Sequence, residues 1–155
     1  MVDVFGSRAS WGEEADFSLP SPALKKRTEV KARAPQAHVM IVEDSDLVTS
    51  ALRILFEETG RRVTVAHSVS EAIAAGRLDP PDLLLLDLSL PDGDGLEVAT
   101  TLARAGVEPR ATVAITGRDD PDSLRRCSAA GVTAVMVKPV PAKELLKKAA
   151  EWLKA

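Results

Sequence analysis

Four apolar stretches of this 155-residue chain each end in a group able to do chemistry. Leu83-Leu84-Leu85-Leu86 runs into Asp87, and Val39-Met40-Ile41-Val42 runs into the pair Glu43-Asp44. Residues 111–115 end in Thr116, and residues 134–137 end in Lys138. If the three carboxylates meet, they repel: two unit charges about 4 Å apart cost about 4 kcal/mol at an effective dielectric near 20. Such a group demands a cation or raised pKa values. Hard oxygen ligands with room for water suit Mg²⁺, which takes about six oxygens and often shares a phosphate. Lys138 would bring three carboxylates and a divalent ion close to neutrality. A carboxylate in that setting is a nucleophile toward phosphorus. Metal and ammonium then offset charge on the equatorial oxygens of the transferring group.

These groups need elements to carry them to one place. The Leu run shows no alternation and lies between Pro81 and Pro91, too short for a helix, so it reads as a strand buried on both faces. Strand Val39–Val42 precedes a helix from Asp44 to about Glu58, with Leu47, Val48, Ala51, Leu52 and Leu55 on its apolar face and Gly60 as its stop. Val63 and Val65 alternate with polar neighbours, as in a strand near a sheet edge. Ser68-Val69-Ser70-Glu71 has capping-box spacing and opens a helix to about Arg77. After the Asp87 loop, Leu96, Val98, Ala99, Leu102 and Ala103 form a helix ending at Gly106. Strand Thr112–Ile115 follows, and Asp120-Pro121 supplies an N-cap and first turn for a helix ending near Gly131. Strand Ala134–Val137 precedes Pro141 and a last helix with Leu145, Leu146, Ala149, Trp152 and Leu153 as its stripe. Five strands alternating with five helices imply a parallel sheet covered on both faces. The carboxyl ends of such strands are where ligands bind.

With those motifs in order, the chain resembles the receiver domain of two-component response regulators, the CheY-like superfamily, from about His38 to the C-terminus. The resemblance implies a flavodoxin-like (βα)5 fold, a doubly wound parallel sheet of strand order 2-1-3-4-5. It implies that Asp87 is the phosphoacceptor and that Mg²⁺ is held by Asp44, by Asp87, by Glu43 through a water and by the backbone carbonyl of Ser89. Lys138 and Thr116 are then expected to contact phosphoryl oxygens, and the Lys138–Pro139 peptide to be cis. Ser89 and Arg118 occupy the positions that adjust phosphoryl lifetime. The chain departs from many receivers at Val135, where they carry Tyr or Phe, so an aromatic switch is not expected.

Each of these residues also has a plain structural reading: Glu43 and Asp44 as caps, Thr116 as a turn residue, Lys138 as an exposed end-of-strand charge. Their joint occurrence in family order favours the signalling reading. The expected protein is a single-domain response regulator, phosphorylated by a histidine kinase or a histidine phosphotransfer protein. It is expected to be no enzyme beyond its own phosphorylation and dephosphorylation, to signal through protein contacts or phosphorelay, and to form a phosphorylation-dependent dimer. A phosphohydrolase of the haloacid-dehalogenase type needs an Asp two residues past the nucleophile, where this chain has Ser89. A pseudo-receiver and a nucleotide-binding α/β protein are the remaining alternatives, the latter without a G-x-G-x-x-G or Walker loop.

Composition bounds the rest. Residues 1–37 hold six Lys or Arg against five acids and read as a weakly ordered tail, with Phe5, Trp11 and Phe17 as its aromatics. The receiver span, residues 38–155, holds fourteen against eighteen, so no broad basic footprint for nucleic acid is expected. No apolar run approaches the roughly 20 residues of a membrane span. The single cysteine, Cys127, suits a reducing cytoplasm and reads as a small packing residue.

Overall fold

A computed structural model describes residues 36–117 and 120–154. The tail reading, apart from Gln36 and Ala37, lies outside the described residues, as does Arg118. The elements run β1 (His38–Val42), α1 (Asp46–Glu57), β2 (Arg62–Ala66), α2 (Val69–Leu78), β3 (Leu83–Asp87), β4 (Ser89–Leu90), β5 (Gly93–Asp94), α3 (Leu96–Arg104), β6 (Ala111–Thr116), α4 (Pro121–Ala129), β7 (Ala134–Val137) and α5 (Ala142–Trp152). One sheet has the order β2-β1-β3-β6-β7, and all its pairings are parallel. Counted by sheet strand, this is the expected 2-1-3-4-5 order. The antiparallel β4–β5 hairpin is an addition where only a loop is expected.

Every residue of β1, β3 and β6 is buried. Alternate residues serve opposite layers. Val39, Ile41, Leu83 and Leu85 pack with Phe56 of α1 and Leu145 of α5. Met40, Val42, Leu84 and Leu86 pack with Ala72 of α2 and with Val98 and Leu102 of α3. Both faces are apolar, so the Leu run cannot alternate. Leu96, Ala114 and the buried Cys127 form a third cluster, consistent with Cys127 as a packing residue.

Helix α1 is rotated partly away from the expected face, keeping Leu52 and Leu55 half-buried. Thr49 and Phe56 are its buried residues, with Leu52 half-buried against the core, whereas Leu47 is 82% exposed and Ala51 also faces solvent. The physical reason is volume: rotating the helix to insert Phe56 buries more apolar surface than inserting Leu47. Thr49 tolerates burial because its hydroxyl donates to the Asp46 carbonyl (3.1 Å).

Local caps follow the sequence more closely. The Asp120 carboxylate caps α4 as expected, accepting the Ser123 N–H at 2.8 Å, whereas α1 starts two residues later than expected and its N-cap is Ser45, whose Oγ accepts the Val48 N–H at 3.4 Å. Ser68 Oγ accepts the Glu71 N–H (3.1 Å), but Glu71 reaches back to the His67 N–H (2.6 Å) rather than to Ser68 itself. Among the described residues no helix is long and apolar enough to cross a membrane.

Candidate functional site

The parallel register carries the polar strand ends to one edge. Val42 pairs with Leu86, Asp87 with Ile115, and Thr116 with Val137. Glu43, Asp87, Thr116 and Lys138 therefore leave four neighbouring strands side by side. One carboxylate oxygen each from Glu43, Asp44 and Asp87 lies within 4.8 Å of the others. The Lys138 ammonium stands 3.3 Å from Asp87 Oδ2 and 3.4 Å from Glu43 Oε1. Glu43 and Asp87 are buried, while Asp44 is exposed.

The pocket's electrostatics follow from these neighbours. Burial, the largest influence, pushes the Glu43 carboxyl above the ordinary carboxylate range; the Ser45 N–H and the Lys138 charge pull it down, and the Asp87 charge pushes it up. Burial by itself would lower the Lys138 ammonium, but Asp87 and Glu43 outweigh it and hold it above the usual lysine value. A cavity of about 480 Å³ opens beside the pair, with Val48, Leu52, Val140 and Leu145 in its wall. That apolar wall weakens solvent screening of the acids on its rim.

The remaining candidates fall around this pair. Ser89 begins β4, and its N–H donates to Asp87 Oδ1 (3.1 Å). Thr116 is buried at the end of β6, and its carbonyl accepts the Lys138 N–H (2.8 Å). The Lys138–Pro139 peptide is cis, as expected. Val135 packs half-buried against the Leu96–Ala114–Cys127 cluster, with no ring at that position. Three convergent carboxylates with one exposed member fit a hard divalent cation with water in its shell.

Sequence reasoning missed one residue here. A Cβ on Gly95 would lie 2.1 Å from the Asp87 carbonyl oxygen, so the turn after β5 closes directly on the backbone of the central acid. The run Pro91-Asp92-Gly93-Asp94-Gly95 signalled a turn; nothing local signalled what the turn touches.

Glu43→Gln provides a test of the electrostatics. Its folded-state pKa is raised, so Glu43 contributes stability below its unfolded pKa, which is lost as pH rises through the folded value. The amide keeps an acceptor for the Ser45 N–H and leaves Lys138 paired with Asp87. In EDTA at pH 7 the variant should be more stable than wild type, read as a rise in melting temperature. Thermal melts across pH should show that gain vanishing as the pH falls toward 4.5, the ordinary value for this carboxyl. A constant gain at all pH values would contradict the assignment.

The sheet and its polar edge together define a doubly wound α/β domain of the flavodoxin type with an acid pocket at its carboxyl end. Residues 39–150 match the model of the response regulator receiver domain, and the chain belongs to that family. It is 30% identical over 120 residues to the transcriptional regulatory protein PdtaR of Mycobacterium tuberculosis, covering 77% of this chain and 57% of that protein. It is 35% identical over 144 residues to the sensor histidine kinase AruS of Pseudomonas aeruginosa, covering 90% of this chain and 14% of that one. The chain thus spans little more than half the length of PdtaR and a small part of AruS. Among solved structures it is similar to a CheY-like receiver domain protein from Methanospirillum hungatei (26% identity, TM-score 0.69, 76% of this chain and 93% of that one). It shares its fold with the receiver domain of sensor histidine kinase PA1611 of Pseudomonas aeruginosa, solved with magnesium in its active-site cleft (21% identity, TM-score 0.68, 78% and 100%).

Proposed function

We propose that this receiver accepts a phosphoryl group on Asp87 from a phosphohistidine of a histidine kinase or phosphotransfer protein, in a Mg²⁺-dependent reaction. The observation that carries this reading is the Lys138 ammonium at 3.3 Å from an Asp87 carboxylate that also lies within 4.8 Å of two further acids. Asp44, Asp87, Glu43 through a water and the Ser89 carbonyl are the groups to hold the ion, which supplies positive charge to the phosphoryl oxygens when bound. Membership of the family and the magnesium in the PA1611 receiver support that choice.

An Asp87 carboxylate oxygen attacks phosphorus as the N–P bond of the phosphohistidine breaks. With its other ring nitrogen protonated, the departing imidazole keeps the bonding pair and ends neutral, and the product is an acyl phosphate. Lys138 holds the attacking carboxylate and then neutralises a phosphoryl oxygen; Thr116 donates its hydroxyl to another. Ser89 fixes the carboxylate rotamer through its N–H. The domain turns over no other substrate, acts in the cytoplasm without touching nucleic acid itself, and passes its signal on by protein contact, with a phosphorylated dimer as one form. The test is incubation with a small-molecule phosphodonor. One acid-labile, hydroxylamine-sensitive phosphoryl group should appear with Mg²⁺, and equal labelling in EDTA would exclude the mechanism.

The output follows from Val135. A short β-branched side chain has one stiff torsion and cannot swing as a ring does. The response to phosphorylation is therefore carried by the segment after Thr116 and the first turns of α4. Amide exchange in a Mg²⁺–beryllofluoride complex should change at residues 117–126, and Thr116→Ala should reduce that change. A response confined to β7 and α5 would refute this route.

A further inference from the structure

We infer that Asp92 is a positioning residue for the phosphoacceptor loop: its carboxylate fastens the tip of the β4–β5 hairpin to the first turn of α2 and so fixes Ser89 beside Asp87. The inference rests on the receiver reading above only where it takes the Ser89 carbonyl as a Mg²⁺ ligand. Asp92 Oδ1 accepts the Val69 N–H at 2.7 Å, and Oδ2 accepts the Ser70 N–H at 3.1 Å. Those are two of the donors that a helix leaves unpaired at its N-terminus. A carboxylate there gains both from charge-assisted hydrogen bonds and from the helix dipole. The two N–H groups hold the Asp92 carboxyl below its ordinary range.

The anchor is needed because the hairpin is too small to hold itself. It has only the pairs Ser89–Asp94 and Leu90–Gly93, and an isolated hairpin even of full length is marginal in water. Its other ties are the Leu90 side chain, which packs half-buried on the core layer of Val69 and Ala72, and two polar contacts at its base. The Gly95 N–H donates to the Leu88 carbonyl at 3.0 Å, and Asp94 is paired with Arg126 of α4. At the tip the tie is Asp92. Helix α2 is a firm post, held in the core by Val69, Ala72 and Gly76. A hairpin free to tilt would move the Ser89 backbone, both the N–H on Asp87 Oδ1 and the carbonyl on the other side of the residue.

A plain helix cap would account for the same two hydrogen bonds, and Ser68 separates the two roles. Its hydroxyl caps the same helix through the Glu71 N–H (3.1 Å) without touching the hairpin. The experiment compares Asp92→Ala, Asp92→Asn and Ser68→Ala by amide exchange over residues 88–95 without metal, and by calorimetric titration with Mg²⁺. Asp92→Ala should speed exchange there by about tenfold or more and weaken Mg²⁺ binding by about tenfold. Asp92→Asn, which keeps an acceptor oxygen, should recover part of both. Ser68→Ala should lower the melting temperature and leave both readouts at wild-type values. Equal changes in Ser68→Ala and Asp92→Ala, or unchanged exchange in Asp92→Ala, would overturn the inference. If the wild-type protein takes up no Mg²⁺, the metal reading fails, and exchange alone decides whether Asp92 anchors the hairpin.

Discussion

Asp87→Asn is expected to fold and to take up no phosphoryl group. An amide is a poor nucleophile toward phosphorus, so the rate of labelling should fall by a factor on the order of 10³ or more. The fold has no reason to suffer. The Asn oxygen can still accept the Ser89 N–H, now at 3.1 Å from Asp87 Oδ1, and one of three crowded carboxylates loses its charge. The melting temperature in EDTA should stay level or rise, by up to about 1 kcal/mol in stability. Intact-mass analysis after treatment with a phosphodonor, paired with a thermal melt, checks both halves. Labelling of Asp87→Asn at the wild-type rate would mean that another residue is the acceptor. A collapsed melting transition would mean that the variant reports folding rather than chemistry.

Gly95→Ala should be less damaging to the chemistry than Asp87→Asn and far more damaging to the fold. The added methyl would sit 2.1 Å from the Asp87 carbonyl oxygen and 3.0 Å from its carbonyl carbon. Both are backbone atoms of a fully buried strand end, so no side-chain rotation relieves the clash. The helix start must move away or β3 must give way. Overpacking of this kind costs about 1–3 kcal/mol and sometimes more, and a value near the upper end is expected because the obstacle is main chain. Phosphorylation should drop at least about tenfold in the folded fraction, because the nucleophile is displaced from Lys138. Chemical denaturation and single-turnover labelling measure the two effects separately. Gly106→Ala is the contrast: it is strained by its backbone angle of φ 85°, yet its Cβ would meet nothing within 4 Å. It should destabilise without altering the labelling rate of folded protein.

The strands, their end groups and the Ser68 and Asp120 caps were legible in the amino-acid sequence because each is a short-range pattern. An apolar run of four residues that meets Asp87, or an Asp120 three residues before the amide it caps, needs no knowledge of the rest of the chain. The sheet order was legible through the family motifs, and the carboxyl-edge meeting of Glu43, Asp44, Asp87, Thr116 and Lys138 followed from that order, because parallel strands deliver their C-terminal ends to one side.

Only the tertiary structure decided how each element is turned and what each loop touches. Helical periodicity in α1 reports that an apolar stripe exists, but several rotations satisfy it, and packing chose the one that buries Phe56 and leaves Leu47 in solvent. The cap that Asp92 places on α2 joins residues 23 apart in the chain, and the Gly95 methyl clash joins a turn to the strand before it. Neither leaves a periodic trace in the sequence. Such contacts arise from two elements docking on a common sheet, and their energy depends on positions fixed only after the chain has folded.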